Sequence, residues 1–150
     1  MNRHTFARGA LAAGVLAVLL AGCSGLRPSQ KLDIFEATLS GSQEVPPVAS
    51  AGSGQAEVQF NTHTNVVTWK VTYTGLSAPP TAGHMHGPAD PGTNAGVVVP
   101  FANVTAQPIT GQATLNAAQV ADLVAGRWYV NIHSTAHPGG EIRGQLRHRM

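Results

Sequence analysis

Cysteine, charged residues and aromatic residues are all scarce in this 150-residue sequence. A single cysteine excludes a disulfide-stabilised scaffold. Charged residues make up 11% of the chain and hydrophobic residues 43%, so a long coiled coil and a disordered polyelectrolyte are excluded as well. The 17 glycines and 10 prolines indicate a turn-rich globular chain, and its length suits one domain.

Residues 1–22 are predicted to be a signal peptide. Arg3, His4 and Arg8 precede an apolar run over residues 10–20, which is shorter than the roughly 20 apolar residues of a membrane-spanning helix. Small residues follow this run directly, as they do before a cleavage site.

The end of this segment, Leu20-Ala21-Gly22-Cys23, resembles the lipobox of bacterial lipoproteins. The resemblance implies cleavage before Cys23, attachment of lipid to its thiol and acylation of the new amino terminus, for instance with palmitate. Residues 24–31 then form a polar tether, and Ser24 favours delivery to the outer membrane of the bacterial cell envelope. The alternative is an ordinary secretory signal with an unmodified cysteine.

The chain that remains after cleavage is electrically neutral. Removal of Arg3 and Arg8 leaves seven basic and seven acidic side chains. Nucleic-acid binding depends on clustered Lys and Arg to replace phosphate counterions, so no nucleic-acid partner is expected. Acylation of Cys23 would also leave no thiol for a disulfide or a cysteine nucleophile.

Alternation of apolar and polar residues predicts an all-β fold. Examples are Phe35 to Leu39, Ala56 to Phe60, Val67 to Tyr73 and Trp128 to Ile132, and turn-forming Gly, Pro and Asn residues separate these segments. This spacing is typical of an antiparallel, Greek-key-like β-sandwich, which we place at residues 32–147, followed by a tail at 148–150.

Two segments depart from simple alternation. Asn116 to Ala125 is predicted to form one short helix, because Asn116 can cap it, Gln119 lies three residues on and Gly126 follows. Val97-Val98-Val99 is a continuous apolar run, which predicts a strand buried on both faces.

Histidines are the residues with the greatest potential for chemistry. His84 and His86 share one face of a predicted strand, and Met85 points the other way. His133 ends a second predicted strand, and His137 follows it in a His-Pro-Gly-Gly turn. His63 is expected to face solvent in a hairpin, and His148 lies in the predicted tail.

Three ordered blocks of the sequence resemble the CHRD domain family, and the resemblance extends over residues 33–146. The blocks are Leu39 to Pro47, His84 to Ala89, and Gly126 to Leu146. The resemblance implies a β-sandwich and specifies no reaction. We therefore interpret the domain as a binding module rather than an enzyme.

The placement of the imidazoles predicts a transition-metal site formed by His84, His86, His133 and His137. Imidazole ligands without thiolate suit copper, which we favour, or zinc. A more distant likeness, to the sandwich of copper/zinc superoxide dismutase, implies His84, His86 and His133 as copper ligands. The sequence lacks that family's cysteine pair and its run of zinc ligands, so superoxide chemistry ranks last.

An alternative function is a structural or interaction module that contacts an envelope protein or a glycan. In that case the histidines bond to backbone and to Asn131, Ser134 or Glu141. Ser134 beside two histidines is a weak candidate for a nucleophile, because no Gly-x-Ser-x-Gly elbow is present.

Three further polar features receive structural interpretations. Glu141 and Arg143 are predicted to form a solvated surface ion pair. Residues 90–94 are predicted to form a turn rather than a calcium site. Glu44 lies in the first of the three CHRD-like blocks, and its neighbours in sequence suggest no role for it.

Overall fold

The computed structural model describes Met1 and residues 31–150, which contain nine β-strands and one α-helix. The strands are β1 (Leu32–Ser40), β2 (Ser53–Asn61), β3 (Val66–Thr74), β4 (Pro80–His86), β5 (Val97–Pro100), β6 (Ile109–Thr114), β7 (Tyr129–Ser134), β8 (Ile142–Gln145) and β9 (Arg147–His148); the helix is α1 (Ala117–Val124). Within the described residues, no helix has the length and apolarity that a membrane crossing requires. Cleavage, Cys23 and nearly all of the tether lie outside this part of the chain.

All strand pairs are antiparallel, and the strands follow the order β5-β4-β7-β8-β1-β2-β3-β6, with β9 paired to β1. The chain crosses from one half of this sheet to the other after β3, after β5 and after β6. The sheet folds over a single core into a nearly closed sandwich. The predicted all-β, antiparallel class is therefore confirmed.

The core consists of the residues that the period-two pattern places on one face. Phe35, Val58 and Val71 are buried on β1 to β3, and Val130 and Ile132 are buried on β7. Each such side chain contributes roughly 1.5–3 kcal/mol by leaving water. The two halves meet where the ring of Trp69 stacks on Phe101, with centroids 5.4 Å apart.

Helix α1 begins as predicted. The Asn116 side chain accepts a hydrogen bond from the Gln119 backbone N–H, and the Gln119 side chain accepts one from the Asn116 backbone N–H, so the capping box is complete. Gly126 follows the helix with φ of 71°. Leu123 is fully buried, which fixes the apolar side of the helix on the core.

Two sequence predictions about strands are wrong. Strand β5 lies at an edge of the sheet, so Val97 is 52% exposed and only Val99 of the three valines is buried. His148 belongs to β9 rather than to a tail, and its ring packs edge-on against Phe35 with centroids 5.2 Å apart. In both cases the position of the strand in the sheet decides the outcome, and local sequence does not report that position.

Candidate metal centre

The histidine cluster consists of His84 and His86 on β4 and His133 on β7. In the antiparallel register of these strands, His84 lies opposite Asn131 and His86 lies opposite Tyr129. Alternation along β4 sends Met85 into the core, where it is fully buried, and turns both histidines to the outer face. His133 follows Asn131 by two residues, so its ring emerges on the same face, diagonal to His84.

The three imidazoles converge. One nitrogen from each ring lies within 4.8 Å of the other two, and His84 Nδ1 is 3.2 Å from His133 Nε2. If an ion lay 2.0–2.1 Å from each of these two nitrogens, they would subtend about 100° at the ion, close to a tetrahedral angle. Two tetrahedral ligands of one ion at that distance are about 3.4 Å apart, so the widest separation, up to 4.8 Å, would have to close by up to about 1.4 Å. Rotation of the side chains would have to provide this adjustment.

Two backbone carbonyls fix the orientation of the rings. The Ala95 carbonyl lies 3.0 Å from His86 Nδ1, and the Pro138 carbonyl lies 2.8 Å from His133 Nδ1. A carbonyl can only accept, so each Nδ1 carries a proton and donates it, and Nε2 is the nitrogen that presents a lone pair whenever the ring is neutral. Such outer hydrogen bonds are the usual means of orienting imidazole ligands.

Asn131 completes the inner surface of the cluster. Its Oδ1 lies 3.0 Å from His86 Nε2 and 3.2 Å from His133 Nε2. In the metal-free protein three acceptors thus face one another, and the His84 Nδ1–H donates to one of them, His133 Nε2. For His84 Nδ1 to bind a metal ion, its proton must move to Nε2. A cation would satisfy all three acceptors. A half-turn of the Asn131 amide, which brings its Nδ2 toward His86, is the alternative for the metal-free protein.

Burial favours the neutral form of the two histidines on β4. Burial, followed by repulsion from His133 and His86, lowers the pKa of His84 to about 4. Burial also lowers the pKa of His86, against the opposing effect of its hydrogen bonds. Neutral imidazoles have the free lone pairs that metal ligands need.

His86 is further held by an aromatic stack. Its ring lies parallel to that of Tyr129, with centroids 4.8 Å apart, and the Arg143 guanidinium lies 3.5 Å from the centre of the Tyr129 ring. Since β4 and β8 flank β7 on opposite sides, Tyr129 is sandwiched between His86 and Arg143. Arg143 also donates to the Asn94 side chain and the Thr93 carbonyl, which holds residues 93–95 over this face.

Comparison with protein families gives one match: the model of the CHRD domain matches residues 35–146. The chain belongs to the CHRD family. Comparison with curated proteins and with solved structures finds no match. The matched region of this CHRD domain runs from within β1 to the end of β8, and it contains the whole histidine cluster.

His137, the fourth predicted ligand, is not part of the cluster in this CHRD domain. The group of metal-ligating side chains found among the described residues holds only His84, His86 and His133. The backbone N–H of His137 donates to Ser134 Oγ, and His137 lines a cavity together with Glu44 and Gly140. His63 is exposed, as predicted.

The predicted surface ion pair of Glu141 and Arg143 is wrong. Both side chains are buried, and no salt bridge among the described residues joins them. Glu141 Oε1 accepts from Ser50 Oγ at 2.7 Å and from the Ser77 backbone N–H at 2.6 Å, so its partners lie 91 and 64 residues earlier in the chain.

The remaining polar candidates have structural contacts. Ser134 is fully buried, and its Oγ accepts from the His137 backbone N–H; within residues 31–150 no hydrogen bond joins this hydroxyl to an imidazole. The Thr93 backbone and hydroxyl both donate to the Asp90 carbonyl, which confirms the predicted turn at residues 90–94.

Sequence reasoning named Asn131 as a hydrogen-bond partner of the histidines, and its Oδ1 does lie within hydrogen-bond distance of His86 and His133. Asn131 shares a strand face with His133. Other parts of the site were missed. Tyr129 shares that face too, but its stacking partners come from two other strands. The carbonyls of Ala95 and Pro138 leave no sequence signal, since every residue has a carbonyl.

Proposed function

We propose that this CHRD domain binds a transition-metal ion, copper in preference to zinc, through His84, His86 and His133. The observation that carries the proposal is the convergence of three imidazole nitrogens within 4.8 Å of one another. The carbonyls that orient two of these rings support it, because a metal site needs ligands held in position before the ion arrives.

The donor set favours copper. All three ligands are neutral nitrogens, and the cluster in the described chain includes no thiolate and no carboxylate. Among divalent first-row metals, nitrogen sites bind copper most tightly. Zinc accepts the same three imidazoles, with a fourth position open to solvent or substrate, and is therefore the natural competitor.

We also propose that the protein is a lipoprotein of the bacterial cell envelope, anchored through Cys23, with the outer membrane as its location. The lipobox-like residues 20–23 and Ser24 support this. The described domain supplies no membrane-spanning helix of its own, so attachment would rest on the lipid.

The test is metal titration of the full-length protein in detergent, stripped of metal beforehand. We expect one copper(II) ion per chain in calorimetry and nitrogen hyperfine structure from imidazoles in the electron paramagnetic resonance spectrum. His84→Ala and His133→Ala should each weaken copper binding at least tenfold. His63→Ala and His137→Ala are matched controls and should leave binding unchanged. Absence of stoichiometric binding, or equal losses in the controls, would refute the proposal.

A second candidate function is an interaction module in which the histidines are structural. The direct hydrogen bond between His84 and His133 favours it, since the metal-free cluster already connects β4 to β7. In that case His84→Ala lowers the melting temperature of the metal-free protein, and copper does not raise the melting temperature of the wild type. If the protein were a superoxide-consuming enzyme, the copper-loaded protein would also have to consume superoxide faster than free copper does.

A further inference from the structure

We propose that the histidine cluster binds copper(I) more tightly than copper(II), and that the buried Arg143 is a specificity-determining residue for this preference. The preference rests on the proposed function, since it names the oxidation state of the ion that the same site takes. Three observations support it: the charge of the ligands, a buried cation next to the site, and the number of ligands.

The ligands carry no charge that could offset the charge of the ion. The three imidazoles bind as neutral rings, and Asn131, whose Oδ1 lies 3.0 Å from His86 Nε2, contributes a neutral amide. Among the described residues, no aspartate or glutamate belongs to the cluster. The occupied site therefore has the full charge of the metal, which is one elementary charge with copper(I) and two with copper(II).

Arg143 places a further positive charge close to this site. Its guanidinium lies 3.5 Å from the centre of the Tyr129 ring, and the His86 ring stacks on Tyr129 with centroids 4.8 Å apart. Arg143 is 2% exposed, and no salt bridge in the described part of the chain includes it. Its hydrogen bonds go to neutral acceptors, Asn94 Oδ1 and the Thr93 carbonyl. Water screens a charge in this position only weakly.

The field of Arg143 extends to the cluster. Burial, together with a smaller repulsion from Arg143, lowers the pKa of His86, so the guanidinium disfavours positive charge on this ring. A bound metal ion is positive charge in the same place. Glu44 is a carboxyl group that acts on Arg143, but burial raises the pKa of Glu44 to about 7, and at neutral pH it is only partly ionised. It therefore compensates the charge of Arg143 incompletely.

The repulsion from Arg143 is twice as strong for copper(II) as for copper(I), because Coulomb energy is proportional to the product of the charges. At a separation of about 9 Å and an effective dielectric constant of about 20, one elementary charge changes a binding constant roughly twentyfold. Partial compensation by Glu44 reduces this factor. We therefore expect Arg143 to favour copper(I) over copper(II) by about tenfold.

The number of ligands favours the same oxidation state. The cluster supplies three nitrogens from one face of the sheet, on β4 and β7. Copper(II) prefers a square arrangement of at least four ligands. Copper(I) has a filled d shell, as zinc(II) does, and such ions have no geometric preference of this kind. Three imidazoles alone therefore suit copper(I) better.

The test measures both dissociation constants on the full-length protein in detergent. Competition with bicinchoninate under anaerobic ascorbate gives the constant for copper(I), and competition with nitrilotriacetate in air gives the constant for copper(II). We expect the constant for copper(I) to be the smaller of the two. The ratio of the copper(II) constant to the copper(I) constant then serves to compare variants.

Two neutral replacements of Arg143 test its role. Arg143→Gln and Arg143→Met should each lower this ratio about tenfold, which corresponds to about 59 mV in reduction potential. Arg143→Met is included because an apolar chain is well tolerated at a buried position. Arg143→Lys keeps the charge and should retain the wild-type ratio.

Two controls separate the charge of Arg143 from its hydrogen bonds. Asn94→Ala removes a hydrogen bond of Arg143 but leaves its charge, so any loss of affinity should be equal for both ions. Arg149→Gln makes the same neutral replacement on the surface, where Arg149 pairs with Glu36, and should leave the ratio unchanged.

The outcomes distinguish this preference from metal binding itself. If neither ion binds, the proposed function is refuted and the preference with it. If copper(II) binds as tightly as copper(I) or more tightly, the preference alone is overturned. If a folded Arg143→Gln or Arg143→Met protein keeps the wild-type ratio, or if Asn94→Ala lowers the ratio as much as they do, the assigned role of the Arg143 charge is wrong.

Discussion

Replacement of Glu141 by glutamine should destabilise the domain by about 3 kcal/mol at pH 7. Burial alone would raise the pKa of this carboxyl group, but hydrogen bonds from Ser134, Ser50 and Ser77 lower it from 4.5 to about 2. Each pKa unit corresponds to roughly 1.4 kcal/mol of preferential stabilisation of the charged form. Glu141→Gln has nearly the same shape, so the change isolates the contribution of the charge.

The sign of the pH dependence follows from the lowered pKa. Ionised Glu141 stabilises the folded state fully above the pKa of the unfolded chain, near 4.5, and this contribution disappears as the pH falls toward 2. The difference between wild type and variant should therefore be largest at pH 7 and should shrink as the pH falls through 4 to 3.

Urea unfolding at pH 7, 5, 4 and 3, followed by tryptophan fluorescence, measures this difference. Glu36→Gln is the matched control, since Glu36 pairs with Arg149 on the surface, and the control should change stability by no more than about 1 kcal/mol. A Glu141→Gln variant that loses less than about 1 kcal/mol at pH 7, or a loss that stays constant with pH, would refute the reasoning.

Three further changes have defined outcomes. Gly111→Ala should lower the free energy of unfolding in urea by about 1–3 kcal/mol, because the new Cβ would lie 2.3 Å from the Trp69 ring. An unchanged free energy of unfolding would mean that the Trp69 ring can move away. Asn116→Ala should cost about 1 kcal/mol, and lower the melting temperature by a few degrees, by removing the cap of α1, whereas Asn116→Asp should retain most of the stability. Cys23→Ser should abolish incorporation of labelled palmitate and release the protein from membranes; membrane retention without label would contradict lipid anchoring.

The sequence predicted which faces of the strands are buried but not which strands are neighbours. Period-two alternation placed His84 and His86 on one face because that signal is local to β4. The contact of His84 with His133 joins residues 49 positions apart, and no local pattern specifies such a pairing. The sequence therefore offered the convergence of His84, His86 and His133 only as a hypothesis, from the placement of the imidazoles and a distant likeness, and the pairing of β4 with β7 supplies the contact itself.

Predictions from local sequence failed for residues whose hydrogen-bond partners are distant in the sequence. The spacing of Glu141 and Arg143 is typical of a surface pair, yet Glu141 binds Ser50 and Ser77, which are 91 and 64 positions away. His137 lies four residues after His133, and the group of described side chains that could hold a metal ion does not include it. Long-range contacts, rather than residue type, account for the error at Glu141 and Arg143.

If the chain is anchored at Cys23, the register of the sheet bears on the distance between the histidine cluster and the membrane surface. Ser40, Arg143, Asn131 and His84 lie in one row across β1, β8, β7 and β4. Strand β1 has nine residues from Leu32 to Ser40, so this row lies about 26 Å along the strand from Leu32, the end of β1 that is nearer to Cys23 in the sequence. A protein anchored at Cys23 would hold its imidazoles at the distal end of the domain, where dissolved ions and soluble partners reach them without approaching the lipid headgroups.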